Sequence, residues 1–402
     1  MTAGRASEHW LVILNEYADL STYTGGVGRR YAALVPQIAR HDISVTVLLF
    51  AESEIQAPPQ VEGVEFKIEK VSRRIPRPLR LVIRPLLARK LYSRLQPAVV
   101  VSPEWQGISA FLPRSANLVT NVVTGMRLIN SLTPGRSRRI GIRRVADLIQ
   151  IRLEEMQIAR SRGAISVSSA IDKMLKARFG DALKSRVVRN CIDVAAVKDL
   201  AMRKNIPSSW PAAEGSPGPL FLFAGRLEAR KGAPVAAAAF DIVARSVSDA
   251  RFVFAGGLGD TTKELGEEGL RALMASTDQR RVHFLGDLRG DFLYGAMASA
   301  TTVLCPSRWE AFGNIALEAK ASGRPVIVTA GSGFDDFCTD GVDAYKCLPD
   351  DAASLAAACL RSIGDPAKSD AIASNAFTQV DYFAAPIVAR DFIAAVEELT
   401  RS

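Results

Sequence analysis

Four charged residues in the second half of the chain have the types and spacing that a phosphate-linked sugar would need. In FAGRLEARKG (223–232), Arg226 and Lys231 stand five residues apart between an apolar run and a helical pattern. An arginine forks to two phosphate oxygens and a lysine acts as a mobile point charge, so the pair can bracket a diphosphate. By themselves they read more readily as solvated loop charges. Further on, CPSRWEAFGNIALEAKASGRPVIV (305–328) places Glu310 and Glu318 on either side of seven residues. The segment reads as a loop that becomes a helix near Gly313 and Asn314. A helix start offers free backbone N–H groups to an anion. Glu318, about one turn into that helix, could accept hydrogen bonds from the vicinal hydroxyls of a ribose. Glu310, ahead of the helix, could hold a second polyol. Ribose, diphosphate and sugar are the parts of a nucleotide sugar, in that order. The competing reading of the two acids is a buried structural carboxylate and a surface one.

These residues need elements to hold them. Each follows an apolar run short enough for a strand and too continuous for a sheet with one wet face. In the first half such runs lie at 10–16, 43–50, 98–102, 116–123 and 164–168, and in the second at 220–226, 251–257, 281–286, 301–307 and 325–330. Helical patterns fill the gaps, as in GGVGRRYAALVPQIAR (25–40), where Tyr31, Leu34, Val35 and Ile38 share a face. Two such series predict an α/β protein of two Rossmann-like domains, parallel sheets facing across a cleft. The Pro-, Gly- and Ser-rich stretch 208–219 is the expected linker, dividing 1–207 from 220–402. A last helix, roughly 385–399, could belong to either domain. In open parallel sheets ligands bind at the carboxyl ends of strands. That rule puts 25–28, Glu104, 226–231, 256–260, 310–314 and 331–335 on the ligand rims.

Composition narrows the classes. At 402 residues and 48% hydrophobic content, the chain is long enough for two cores. No run of 18 apolar residues is free of charge, so no transmembrane helix is expected, and the first apolar run is too short for a secretory signal. The five cysteines are scattered and the three histidines lie apart from them, which speaks for reduced thiols in a cytoplasm and against zinc. FVFAGGLGD (252–260) lacks the third glycine of a dinucleotide fingerprint. The net charge of +9 is uneven: residues 1–200 carry 31 Lys/Arg against 17 Asp/Glu, and between 70 and 145 sixteen cations meet one acid, Glu104. Such a block suits an anionic membrane surface or a phosphorylated acceptor. Aromatic residues are too sparse in it to suit nucleic acid.

GGVGRRYAAL (25–34), NCID (190–193), FAGRLEARKG, HFLGDL (283–288) and SRWEAFGNIALEAKASGRPVIVT (307–329) follow one another in an order that resembles the retaining glycosyltransferases of family 4, with the GT-B fold. The resemblance covers nearly the whole chain, and the last segment is its most specific part. It implies an N-terminal acceptor-side domain and a C-terminal domain that binds a nucleotide sugar. It further implies that Arg226 and Lys231 bind the donor diphosphate, Glu318 the ribose and Glu310 the transferred sugar. Backbone at Phe312, Gly313 and Asn314 would also touch the donor, and Gly26 and Gly28 would line the site near the phosphate.

Two departures from the family stand out. No histidine lies between His41 and His283, so the N-terminal-domain histidine of many relatives is missing and Arg127 stands near its place. PEWQG (103–107) replaces a His-Asp pair, putting Glu104 and Trp105 on the acceptor side. The family mechanism is front-face attack in which the leaving diphosphate takes the acceptor proton, and Arg226, Lys231 and Glu310 would carry catalysis. No Asp-x-Asp occurs, so the two cations stand where a metal would hold the diphosphate, and no cofactor is expected. The acceptor is expected to be a hydroxyl on a lipid-linked, polysaccharide or glycolipid intermediate. Alternatives are a small soluble acceptor, a sugar-nucleotide epimerase of the same fold, and a non-catalytic binding module.

Overall fold

The continuous apolar runs become strands buried on both faces: Trp10 to Leu14, and Leu220 to Ala224, have no exposed side chain. The computed structural model describes residues 8–18, 20–21, 25–52, 55–132, 141–211, 218–258 and 266–401. Its first half runs β1 (Glu8–Leu14), α1 (Gly26–Ala39), β2 (Ile43–Ala51), β3 (Val64–Lys70), α2 (Arg77–Leu95), β4 (Val99–Pro103), β5 (Leu118–Val122), α3 (Met126–Leu132), α4 (Ile142–Arg160), β6 (Gly163–Ser166), α5 (Ser169–Phe179) and β7 (Ser185–Val187). The second runs α6 (Val194–Arg203), β8 (Leu220–Ala224), α7 (Ala233–Ser246), β9 (Arg251–Ala255), α8 (Glu267–Ala272), β10 (Val282–Gly286), α9 (Gly290–Ser299), β11 (Thr302–Cys305), α10 (Asn314–Ala321), β12 (Val326–Thr329), β13 (Tyr345–Cys347), α11 (Ala352–Gly364), α12 (Pro366–Gln379) and α13 (Ala385–Arg401).

The chain divides into two units. Unit 1, Met1–Ile192 with Ala385–Ser402, carries a parallel sheet of order β3-β2-β1-β4-β5-β6-β7. Unit 2, Asp193–Ala384, carries a parallel sheet of order β10-β9-β8-β11-β12-β13. The core of unit 1 joins β1, β2 and β4 to the inner face of α1 and to Val388, Phe392, Val396 and Leu399 of α13. Two of the motifs meet there: buried Arg30 of α1 donates to Asn190 Oδ1 at 2.6 Å and lies over the Phe392 ring. Unit 2 is built on phenylalanines, with Phe240 stacked on Phe252 at 4.2 Å and Phe252 on Phe221 at 5.8 Å.

The division does not fall in the expected linker. It falls at Ile192/Asp193 and again at Ala384/Ala385. The helix α6 lies before the linker but belongs to unit 2, because Val194, Val197 and Ala201 are buried and α6 packs on α9 and α10. The approach is close: a Cβ at Gly295 would sit 2.0 Å from the Asn205 carbonyl oxygen, so only glycine fits there. Of the expected linker, residues 212–217 lie outside the described residues.

Candidate active site

In an open parallel sheet the ligand crevice lies outside the carboxyl ends of the two strands at which the winding reverses. In unit 2 those strands are β8 and β11. Arg226 and Lys231 follow β8, Glu310 follows β11, and across this point Lys231 Nζ meets Glu310 Oε1 at 2.5 Å. Backbone geometry brings the two loops together. Arg308 N donates to Arg230 O at 2.9 Å, and a Cβ on Gly232 would stand 1.9 Å from the Pro306 carbonyl oxygen. The loop after β12 closes the third side, with Gly333 N donating to Glu310 O at 2.9 Å.

Glu310 is buried, and Ser307 Oγ donates to its Oε1 at 2.8 Å. Burial pushes its carboxyl upward, but the charges of Lys231 and then Arg230, with the hydrogen bonds of Lys231 and Ser307, hold it below the usual carboxylate range. Arg226 keeps about a third of its side chain in solvent and pairs with buried Glu228 at 3.2 Å, which Arg230 also meets at 2.8 Å. Glu228, Arg230 and Ser307 were not singled out from the sequence. Glu228 and Arg230 lie inside the basic motif itself, and their two-residue spacing was the available signal.

The helix start expected at 313–314 is there. Gly313, at φ 101°, precedes α10, and no side chain caps the helix. A Cβ on Gly313 would be 2.1 Å from Phe334 Cε1, so the turn requires glycine on both counts. The Phe312 ring is fully buried against Phe337 at 4.7 Å, which leaves only its backbone to reach a ligand. Asn314 opens the helix and Glu318 lies one turn in, both buried. Unit 2 therefore brings Arg226, Lys231, Glu310 and the start of α10 onto one rim.

In unit 1 the winding reverses between β1 and β4. Gly26 and Gly28 begin α1 after β1, and an acid that sequence reading passed over organises them. Glu16 accepts from Gly25 N at 3.0 Å and from Gly28 N at 2.8 Å, capping α1 from the end of the preceding strand. Apart from its chain neighbours and its own helix backbone, no described atom lies within 4 Å of where a Gly26 Cβ would stand. After β4, Trp105 is half-buried, and its carbonyl accepts from Asn15 Nδ2 at 3.2 Å.

Glu104 does not face outward as an acceptor contact would. It is buried, and its two oxygens accept from Val123 N at 3.0 and 2.9 Å. Glu154 of α4 accepts from Met126 N at 2.7 Å, Gln106 N at 3.1 Å and Gln150 Nε2 at 2.7 Å. The two carboxylates thus clamp the loop after β5. Burial, then the charge of Glu154, pushes Glu104 up to about 8, and burial pushes Glu154 up to about 7. Arg127 is exposed on α3 and shares Glu155 with Arg178, at 2.8 and 3.0 Å.

The basic block is less free than its composition suggests. Arg73, Arg80 and Arg84 converge on Glu52 at 2.9, 2.5 and 2.6 Å, and Arg77 meets Asp147 at 2.7 Å. Arg84 is buried. These acids come from other elements, which a count confined to 70–145 could not see. Residues 133–140 of the second basic stretch lie outside the described residues, as do Gly259 and Asp260 of the rim expected after β9. Among the described residues no group of three or more His, Cys, Asp or Glu is arranged to hold a metal. No described helix is long and apolar enough to cross a membrane.

Two parallel sheets, each with charged or glycine-rich loops at its reversal point, define a GT-B protein. A model of glycosyltransferase family 4 matches residues 24–196 and one of group 1 glycosyl transferases matches residues 218–365. The chain belongs to this glycosyltransferase family. It is 30% identical over 226 residues to a glycogen synthase of Mycobacterium tuberculosis, a match covering 54% of this chain and 49% of that protein. The chain thus spans about half the length of that curated relative. Among solved structures it resembles the sucrose-phosphate synthase of Thermosynechococcus elongatus, with TM-score 0.78, 17% identity, and 98% and 100% of the two chains covered. It also resembles Anabaena HepE in complex with UDP-glucose, with TM-score 0.68, 18% identity, and 98% and 100% covered.

Proposed function

We propose that the protein is a retaining, metal-independent glycosyltransferase that moves a sugar from a nucleoside diphosphate sugar to a hydroxyl acceptor on a lipid-linked or glycan intermediate. The observation that carries this reading is the Lys231–Glu310 pair at the reversal point of unit 2, with Arg226 in the adjoining turn. Cation and carboxylate side by side suit the junction between a diphosphate and a sugar. Lys231 would turn to the phosphate oxygens as Glu310 takes sugar hydroxyls. Arg226 forks to the same diphosphate, the uncapped start of α10 gives backbone N–H groups to it, and Glu318 holds the ribose.

In the reaction the bond from the anomeric carbon to the diphosphate oxygen breaks as the acceptor oxygen bonds to the same face of that carbon. The acceptor proton passes to the departing diphosphate oxygen. Arg226 and Lys231 stabilise the charge that develops there, which is electrostatic catalysis. No separate base is needed, in keeping with the absence of histidine between His41 and His283. That HepE was solved with UDP-glucose makes UDP-sugars the first donors to test.

The test is nucleoside diphosphate release from UDP-, GDP-, ADP- and dTDP-sugars in the presence of polyprenyl-phosphate-linked and simple glycoside acceptors. Arg226→Ala and Lys231→Ala should lower kcat more than they raise KM. The product should keep the anomeric configuration of the donor by NMR. An inverted product, or activity abolished by EDTA and restored by magnesium, would defeat the proposal.

A further inference from the structure

The helix α2 is apolar on two sides. Leu81, Ile83, Leu87 and Ala88 face inward, where Leu81 packs with Ala146 and Leu153 of α4 and the others join the sheet core. Leu79, Val82 and Leu86, at helical spacing, face solvent. The neighbouring α4 is likewise apolar on its outer side, with Ile142, Val145 and Leu148 exposed, while its buried face mixes Ala146 and Leu153 with Asp147, Gln150 and Glu154. These six outward side chains keep 36 to 63% of their surface in solvent, well beyond the scattered exposed leucine that needs no explanation. Apolar side chains gathered on the outer side of a helix call for cover there.

The surrounding charge says what kind of cover. Arg89 and Lys90 on α2 and Arg143, Arg144 and Arg152 on α4 are exposed, and no acid is exposed on either helix. Farther along α4, Arg152 also lines a cavity of about 500 Å³ with Arg114, Arg160 and Arg178, in which Glu155 is the one acid. An apolar ridge with cations around it matches the boundary of an anionic bilayer, where apolar side chains enter the acyl region and cations meet headgroup phosphates. No exposed aromatic lies on either helix to stack on bases, so nucleic acid fits poorly.

We propose that the outer face of α2 and α4 docks on an anionic lipid bilayer, with Leu79, Val82, Leu86, Ile142, Val145 and Leu148 inserted and the arginines around them on lipid phosphates. The arginines bound to Glu52 and Asp147 hold the helices in place and are not part of the surface. The inference rests on the transferase reading only for its use, which would be to bring the enzyme to an acceptor held in the membrane.

The experiment is co-sedimentation of the full chain with vesicles of phosphatidylcholine alone and of equal parts phosphatidylcholine and phosphatidylglycerol. The protein should pellet only with the second. Arg143→Gln with Arg144→Gln should lower the partition coefficient about fivefold per arginine. Leu79→Ser with Leu148→Ser should lower it about tenfold or more per leucine. Arg280→Gln with Arg289→Gln, an equal loss of exposed charge in unit 2, should leave it unchanged. Absence of binding to the anionic vesicles, serine variants that bind like the parent, or an equal loss in the unit 2 control would each overturn the proposal, the first leaving the face to a protein partner. Release of nucleoside diphosphate from the four donor types in the presence of the same acceptors, by the same preparations without vesicles, separates the two readings. Release without vesicle binding would sink the docking surface alone, and vesicle binding without release from any of the four donor types would sink the transferase alone.

Discussion

Replacing Lys231 by methionine removes the ammonium but keeps most of the apolar stem, so the result reports on charge. It leaves the Glu310 carboxylate, 9% exposed, with Ser307 and the more distant Arg230. Stripping one partner from a fully buried ion pair costs about 3–5 kcal/mol. The Lys231 side chain is 21% exposed, and Ser307 remains, so about 2 kcal/mol is expected. For a unit of this size that lowers Tm by about 4–8 °C. In the parent the Glu310 pKa lies below its unfolded value, so its contribution is present above that value, about 4.3, and is lost as pH falls through the folded one. In the variant burial acts with its main opponent gone, and Glu310 instead destabilises as pH rises above about 4.3. Parent and variant should therefore lie close together at pH 4 and separate by roughly pH 7. Scanning calorimetry across pH measures this, with hydrogen exchange at β8 and β11 assigning the loss to unit 2. Adding Glu310→Gln should recover most of the stability without recovering transfer. A pH-independent Tm difference, or a double variant as unstable as the single, would refute the argument that an isolated buried charge is the cause.

The other expectations concern both units. Because burial raises Glu104 to about 8 and Glu154 to about 7, unit 1 should lose stability as pH rises from the unfolded value of about 4.3 to about 8, and Glu104→Gln, which keeps an acceptor for Val123 N, should flatten the loss in a pH series of denaturation curves. Arg84→Met should lower stability by about 2 kcal/mol through its lost bonds to Glu52, Asn15 and Gln106, yet leave vesicle partition unchanged. Glu318→Ala should weaken UDP binding about 10-fold or more by calorimetric titration if it holds the ribose, and an unchanged Kd removes it from that role.

Much of this fold could be read from apolar runs, because strands of a parallel sheet covered on both faces carry few polar residues. The strand β3 escaped for the converse reason: Val64–Lys70 is an edge strand that alternates apolar and charged residues, with Glu65, Glu69 and Lys70 exposed, so it forms no continuous apolar run. On the rim of unit 2, Lys231 and Glu310 were legible because their loops carry unusual charge next to glycine. Glu16, Glu154 and Glu228 were not, since each acts on groups distant in sequence or on a neighbour already taken for a ligand residue. Burial likewise turned Glu104 from a contact into a clamp. The linker was misplaced because Pro, Gly and Ser mark where a chain can bend, whereas the boundary depends on which core buries Val194, Val197 and Ala201.

The return of α13 has a consequence for the making of the protein. On the ribosome, residues 193–384 must be synthesised between the last strand of unit 1 and the helix that covers its core. At the usual 5–20 residues per second that interval is roughly 10–40 s. Throughout it, the faces of Tyr31, Leu34, Val35 and Ile38 turned to Phe392 and Val396 have no covering helix. Unit 2 is continuous and can close as it emerges, so the second half of the chain is free to fold before the first is finished. A chain truncated after residue 384 would hold one completed unit and one with an open apolar groove, the form that a holdase chaperone would retain.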